Sequence, residues 1–425
     1  MSGPAGTCGC PEDRAAQRGL SRRGFLKGVG VAAAAAALPA GTVRAAYAAG
    51  YTGDVLVVLS LRGGMDGLSL VAPVGDPDYA RLRPTIAVPA AKGIPTGDRM
   101  FALHPGLAAV KPLWDAGLMG AVHAVGSPDG SRSHFQATEE LERAAPGTSI
   151  RTGWLDRVLG VRGTGTVFQA VHVGSGSPPP MLAGPRPELA MRSLEDFSVS
   201  QAGWVGPRMT TALAALHTGV DGPAVPAARS TLAALAAADA VRAATPAPAN
   251  GAVYPDSELG RALSDVARLI RAGNGLQAAT LDLGDWDMHS GLGAPGVATG
   301  WMHRKATELG LALAAFARDL GPLMSRTCLV TLSEFGRRAA ENGSGGVDHG
   351  YGNAVLLLGG GVVGGRVHGR WPGLTSAALD HGDLAGTTDC RSVLAELLVK
   401  RGGVSTTALA EVFPGHRPET LGLVR

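Results

Sequence analysis

Apolar positions fall into short runs, each followed by glycine or polar residues: Val55–Leu61, Met119–Val125, Val167–Val173, Ala278–Leu283, Cys328–Leu332 and Ala354–Leu358. Runs of this length bounded by turn residues predict strands. Between several of them, Ser257–Arg271 and His303–Leu320 carry helical periodicity. Strands alternating with helices predict an α/β fold with a largely parallel central sheet, in which sites collect beyond the carboxyl ends of the strands. Leu213–Asn250 is different: it is rich in alanine and ends in Thr-Pro-Ala-Pro-Ala-Asn, a helix followed by a flexible connection. It is expected to form a cap or insertion around residues 205–250 of one domain spanning 49–425. There is no internal repeat.

The first 48 residues belong to another pattern. Ser21-Arg22-Arg23-Gly24-Phe25-Leu26-Lys27 precedes a short, alanine-dominated apolar stretch from Gly28 to Leu38. A basic region followed by an apolar one is a secretion signal, and the paired arginines point to the twin-arginine translocase as the partner in export. The stretch is too short for a stable membrane span, which takes about 20 apolar residues. Val43-Arg44-Ala45 and Ala46-Tyr47-Ala48 offer two cleavage sites. The mature protein is expected to be secreted, periplasmic or associated with the cell wall.

Removing this leader changes the charge. The chain carries +3 overall. Six basic residues (Arg14, Arg18, Arg22, Arg23, Lys27, Arg44) against Glu12 and Asp13 give the leader +4, which leaves −1 for the mature part. The basicity is therefore the signal's, and no nucleic-acid partner is implied. Cys8 and Cys10 leave with the leader. Cys328 and Cys390 remain, and the apolar surroundings of Cys328 favour two buried free thiols over a disulfide.

Chemically capable residues concentrate beside the strands. They lie in Arg62-Gly63-Gly64-Met65-Asp66-Gly67, Ser131-Arg132-Ser133-His134-Phe135, Asp285-Trp286-Asp287-Met288-His289, Ser333-Glu334-Phe335-Gly336-Arg337 and Asp348-His349-Gly350. Carboxylates with imidazoles are ligands for divalent metals, zinc first, with manganese or magnesium favouring the oxygens. Any one such pair is weak evidence; several loops on one sheet edge are stronger. Asp66, Asp285, Asp287, His289, Glu334, Asp348 and His349 are the candidate ligands. Ser131 or Ser133 is the candidate nucleophile, activated by a nearby cation, with Arg132 holding an anionic ester oxygen. The plainer alternative has both serines capping a helix that begins near His134, with Glu139 and Glu140 in its first turns. Gly359-Gly360-Gly361-Val362-Val363-Gly364 matches a dinucleotide fingerprint by letter. The extended segment predicted after it lacks the helix that the fingerprint requires, so no nicotinamide or flavin cofactor is expected.

Taken together, these five motifs resemble the exported bacterial family called domain of unknown function 1501, from about Val55 to Thr387-Thr388-Asp389-Cys390-Arg391. That family is grouped with the alkaline phosphatase, sulfatase and cofactor-independent phosphoglycerate mutase superfamily. The resemblance implies a three-layer α/β/α sandwich, alkaline phosphatase-like, with a two-metal centre at the strand ends. Asp285 and His289 resemble one Asp-x-x-x-His metal pair, and His349 resembles the last metal histidine. Glu334-Phe335 stands where an Asp-His pair is usual, and the sulfatase nucleophile motif is not matched. The function implied is a secreted metal-dependent hydrolase or transferase of phosphate or sulfate esters, small or polymeric. The rival readings are an exported binding or assembly protein that retains the fold, and a carbohydrate-active enzyme working through paired carboxylates without metal.

Overall fold

The computed structural model describes residues 53–163, 165–186, 188–199, 206–218 and 225–425; the secretion signal lies outside them. Twelve strands occur among these residues: β1 (Val55–Leu61), β2 (Val71–Ala72), β3 (Ile94–Pro95), β4 (Ala102–Leu103), β5 (Met119–Gly126), β6 (Ala170–Val173), β7 (Leu189–Met191), β8 (Ala278–Leu283), β9 (Thr327–Leu332), β10 (Asn353–Gly359), β11 (Val367–His368) and β12 (Thr388–Asp389). Nine form one sheet in the order β11-β5-β10-β9-β1-β8-β6-β7, with β12 also on β5; β2, β4 and β3 form a small separate sheet. The predicted runs become strands within a residue or two at most ends. The exception is Val167–Phe168, which turns ahead of β6 through a bond from the Gln169 amide to the Thr166 carbonyl.

The main sheet is parallel except for β10, which runs antiparallel to both β9 and β5. This reversal matters for the site. The residues before β10 arrive at the same edge as the residues that follow the parallel strands of the sheet, so 348–349 meet the loops after β5, β8 and β9.

The longer helices are α1 (His134–Arg143), α2 (Trp154–Arg162), α3 (Gly206–Leu216), α4 (Val225–Ala244), α5 (Glu258–Ala272), α6 (Trp301–Leu320) and α7 (Cys390–Lys400). Strand side chains alternate between faces. Val57, Leu59 and Leu61 of β1 pack in one buried cluster with α5 and α6. Leu56 and Val58 pack in another with α2 and α7. Helices thus cover both faces, giving three layers. Helix α5 starts where the Ser257 hydroxyl accepts from the Gly260 amide and ends at Gly273, which has a positive φ of 66°.

The main body comprises Ala46–Phe197 and Ala237–Arg425, and Ser198–Ala236 groups apart from it. The alanine-rich region contains two helices, α3 and α4, where the sequence suggested one. Cys328 and Cys390 are both free and buried. Burial pushes the Cys328 thiol up to about 12 and the Cys390 thiol up as well. After the glycine run Gly359–Gly364 the chain enters the short strand β11, not a helix. Among the described residues, no helix is long and apolar enough to cross a membrane.

Candidate metal centre

Three imidazoles and one carboxylate converge at the carboxyl edge of the sheet. His134 opens α1 after β5, Asp287 and His289 follow β8, and His349 precedes β10. The Nε2 of His349 lies 3.1 Å from that of His134, 2.9 Å from that of His289 and 3.2 Å from Asp287 Oδ1. Asp287 Oδ1 is 3.5 Å from His134 Nε2 and 3.1 Å from His289 Nε2. The four atoms form two triangles sharing the Asp287–His349 edge. Donors bonded tetrahedrally at about 2.0–2.1 Å from a zinc ion lie roughly 3.3 Å apart, so the spacing suits a cation among them.

The opposite nitrogen of each ring fixes its tautomer. His134 Nδ1 donates to Glu334 Oε1 at 2.7 Å, His289 Nδ1 to Asp348 Oδ1 at 2.9 Å, and His349 Nδ1 to the Arg132 carbonyl at 2.8 Å. A carboxylate or carbonyl oxygen only accepts, so each neutral ring carries its proton on Nδ1 and turns an Nε2 lone pair inward. Lone pairs 2.9 and 3.1 Å apart cannot hydrogen-bond to one another. A cation held by His134, His349 and Asp287 would satisfy two of these lone pairs, with His289 on the adjoining triangle, and oxygen acceptors behind ligating histidines are the usual support of metal sites.

The loops are held by Arg337, a fully buried guanidinium. It donates to the carbonyls of Gly63, Gly64, Val347 and Trp286, and to Asp287 Oδ1 at 2.7 Å. Desolvation acts to raise the Asp287 pKa, but the hydrogen bond and charge of Arg337, with His349 and His289, outweigh it and hold the carboxyl down to about 2. Asp348 is also lowered, first by its hydrogen bond from His289 and then by that from Asn342. Gly63 has a φ of 106°, and a Cβ there would stand 2.8 Å from the Asp287 amide, so only glycine lets β1 and the β8 loop approach this closely. Phe335 packs its ring 4.8 Å from both His134 and His349, a wall where the resemblance placed an imidazole.

Of the ligands expected from sequence, Asp287, His289 and His349 meet directly, while Glu334 and Asp348 stand one bond behind as supports for the rings. Asp66 does not join them. Arg83 donates to both of its oxygens, at 2.6 and 3.0 Å, and this sealed pair leaves no carboxylate oxygen for a cation. Asp285 is exposed at the turn itself, with a φ of 65° that throws the chain back toward Asp287. Arg132 is engaged elsewhere: its guanidinium binds the buried Asp383, so its side chain is committed to the protein. The capping alternative is also corrected. Ser133 precedes α1 without bonding its amides, and the first turn holds no acidic residue. Ser131 Oγ is buried without a hydrogen-bond partner, whereas Ser133 is exposed.

Sequence reasoning passed over His134 and Arg337 as site residues, although both stood inside the motifs it singled out. The available signal for His134 was its place directly after the strand loop 127–133. An open cleft of about 700 Å³ beside the cluster is lined by Arg62, His134, Phe135, Arg143, Arg151 and Glu334, among others. Phe135 is 92% exposed at its rim.

No curated relative matches the chain. Among solved structures it is similar to the C-terminal periplasmic domain of EcEptC from Escherichia coli in complex with zinc, at 8% identity and a TM-score of 0.32, covering 73% of this chain and 74% of that one. It is similar to Ps i-CgsB at 12% identity and a TM-score of 0.29, covering 78% and 75%. It is also similar to the lipoteichoic acid synthase LtaP from Listeria monocytogenes, at 9% identity and a TM-score of 0.23, covering 74% and 66%. Residues 19–39 match the twin-arginine translocation pathway signal sequence, so the protein is exported. Residues 123–398, which hold His134, Asp287, His289, Glu334 and His349, match the family described as protein of unknown function (DUF1501), and the chain belongs to that family.

Proposed function

We propose that this exported protein is a metal-dependent hydrolase or transferase of phosphate or sulfate esters. The observation that carries the reading is the inward convergence of three Nε2 lone pairs on Asp287 Oδ1, each ring fixed from behind by an oxygen acceptor. His134, Asp287 and His349 would hold the cation, with His289 on the adjoining triangle; zinc suits this donor set best, and manganese or magnesium would lean on the carboxylate. When bound, the ion would polarise an ester oxygen and stabilise the charge that develops as the bond breaks.

The protein's own groups would do the rest. Arg337 keeps Asp287 ionised and aimed. Glu334, Asp348 and the Arg132 carbonyl keep the ring protons off Nε2. Arg151, 77% exposed and held by an ion pair to exposed Glu139 at 3.8 Å, is the cleft guanidinium that would meet an anionic ester oxygen in place of Arg132. Ser131 and Ser133 flank the residue whose carbonyl holds His349, and one of them would attack: the Ser133 hydroxyl is exposed, while the unpartnered Ser131 hydroxyl is buried and would need the loop to open first.

The test is elemental analysis of purified protein with parallel assay on aryl phosphates and aryl sulfates. About one metal ion or more per chain is expected, with metal and activity both lost in Asp287→Ala and His349→Ala. Folded protein that takes up neither zinc, manganese nor magnesium would sink the proposal. That outcome would favour the exported binding or assembly protein, for which the bond from Arg337 to Asp287 Oδ1 is the supporting observation: a guanidinium already neutralises that carboxylate.

A further inference from the structure

A second group of chemically capable side chains stands outside the metal cluster. The loop after β6 is Gly174-Ser175-Gly176-Ser177-Pro178, exposed throughout, and a Cβ at Gly174 or Gly176 would meet nothing within 4 Å. His172, in β6, is buried. Its Nε2 lies 2.9 Å from Ser175 Oγ and its Nδ1 lies 2.9 Å from Thr280 Oγ1 on the neighbouring strand β8, where the register sets His172 opposite Thr280. A buried imidazole is thus held at one nitrogen by a strand hydroxyl and presents the other to a solvent-exposed serine at the carboxyl edge of the sheet. This is the arrangement of an activated nucleophile: hydroxyl and base within hydrogen-bond reach, and the base oriented by a third group.

We infer that Ser175 and His172 form a second, metal-independent nucleophilic centre that accepts acyl groups from carboxylic esters. Ser175 Oγ bonds to the ester carbonyl carbon while its proton passes to His172 Nε2. That proton then goes to the leaving alkoxide oxygen as the carbon–oxygen ester bond breaks, releasing alcohol and leaving acyl-Ser175. Water attacks the acyl carbon, its proton passes through His172 to Ser175 Oγ, and the carboxylic acid leaves. The productive tautomer has Nδ1–H donating to Thr280 Oγ1. At rest the Ser175 hydroxyl donates to the Ser177 carbonyl at 2.9 Å, and it must turn from that carbonyl to His172 Nε2 before attack. Burial holds the His172 imidazole below its ordinary pKa, with Asp282 acting to raise it and Arg62 to lower it, so the ring is neutral and able to accept.

The experiment treats the mature protein, stripped of metal with a chelator, with an alkyl fluorophosphonate and maps the adduct by peptide mass spectrometry. An adduct on Ser175 in the wild-type chain is expected, absent in Ser175→Ala and formed about 100-fold more slowly in His172→Gln, the lower end of a general base's contribution. Asp287→Ala, which removes the metal cluster, should label as the wild type does, so this inference and the metal reading fail separately. No adduct on Ser175, or an undiminished rate in folded His172→Gln, overturns the assignment. If His172→Gln does not fold, wild-type labelling in heavy water decides: slower labelling supports proton transfer to the imidazole, and an unchanged rate overturns it.

Discussion

Two carboxylate–guanidinium pairs follow parallel strands of the same sheet, and they have opposite fates. Asp66 and Arg83, after β1, are sealed from water at 2% and 0% exposure. Arg83 also donates to the Ala339 and Arg338 carbonyls and to the Ser69 hydroxyl, so every strong partner is internal. Asp287, after β8, and Arg337, after β9, share the chemistry but not the burial: Arg337 is enclosed while Asp287 is 45% exposed. One pair is a strut. The other has a protein side and an open side, and the imidazoles gather on the open one. Residue type does not distinguish the two aspartates. The number of internal donors aimed at each does.

The largest expected effect breaks this comparison at its root. Asp66→Ala leaves Arg83 buried and uncompensated, at a cost of about 3–5 kcal/mol. Asp287→Ala leaves Arg337 four carbonyl acceptors, and the cost is expected to be smaller, roughly 1.5–3 kcal/mol for the lost charged hydrogen bond. Urea unfolding of both variants without added metal measures the difference. Equal losses would mean that the two pairs do the same structural work.

Acid should act on the sealed region next. His123 and His104 are both lowered to about 4 by burial, the desolvated ring resisting charge, and both feel Asp66. His123 Nδ1 accepts from the Ala124 amide and His104 Nδ1 from the Gly106 amide, bonds that a second ring proton would abolish. The folded state therefore binds these protons less readily than the unfolded state, whose histidines titrate near 6.5. Stability is fully present above about pH 6.5 and is lost as pH falls toward 4, by about 3 kcal/mol for each ring. Unfolding midpoints between pH 7 and 4.5 should fall, and His123→Asn should flatten the slope. A midpoint independent of pH over that window would remove the acid weakness from this region.

These contrasts also show what was legible in the sequence. The strand runs were readable because their apolar composition is local, and β1 and β8 begin and end where the pattern put them. The convergence of Asp287, His289 and His349 was readable as a collective expectation, because loops after parallel strands must share an edge. What was hidden depends on distant partners. Asp66 is spent on Arg83, and Arg132 on Asp383, 251 residues further along the chain. His134 was hidden for a related reason: its Nδ1 partner, Glu334, lies 200 residues away and gives no local signature. The reversal of β10, which brings His349 to the right edge, follows from pairing and not from composition.

A smaller change probes the open side from behind. Asp348 holds His289 Nδ1 and itself accepts from Asn342 Nδ2 at 2.9 Å. Asp348→Ala should free the ring to rotate and change tautomer, lowering zinc affinity about 10–100-fold without loss of folding, as removal of a ligand's hydrogen-bond partner does elsewhere. Competition with a chromophoric chelator reads it. Unchanged affinity would place His289 outside the metal-holding set and leave His134, Asp287 and His349 as the whole of it.

The smallest effect is expected at Arg132, where side chain and backbone have separate duties. Its carbonyl accepts from His349 Nδ1, and any residue but one that distorts the loop supplies that carbonyl equally well. Its guanidinium binds Asp383, which also accepts from Arg338 Nη1 at 3.0 Å, so one cation remains when the other is removed. Arg132 is half exposed, and exposed pairs contribute about 1 kcal/mol or less. Arg132→Ala should therefore keep its metal, shift the unfolding free energy by no more than that, and leave the KM for an aryl ester within about threefold, the change that 0.7 kcal/mol of lost binding would produce. Arg151→Ala, by contrast, should raise that KM by about tenfold or more, since an ionic hydrogen bond to substrate is worth about 1.5–3 kcal/mol. If the two variants exchange these outcomes, the anion is held on the α1 entry loop after all, and the Asp383 pair is a resting contact that substrate displaces.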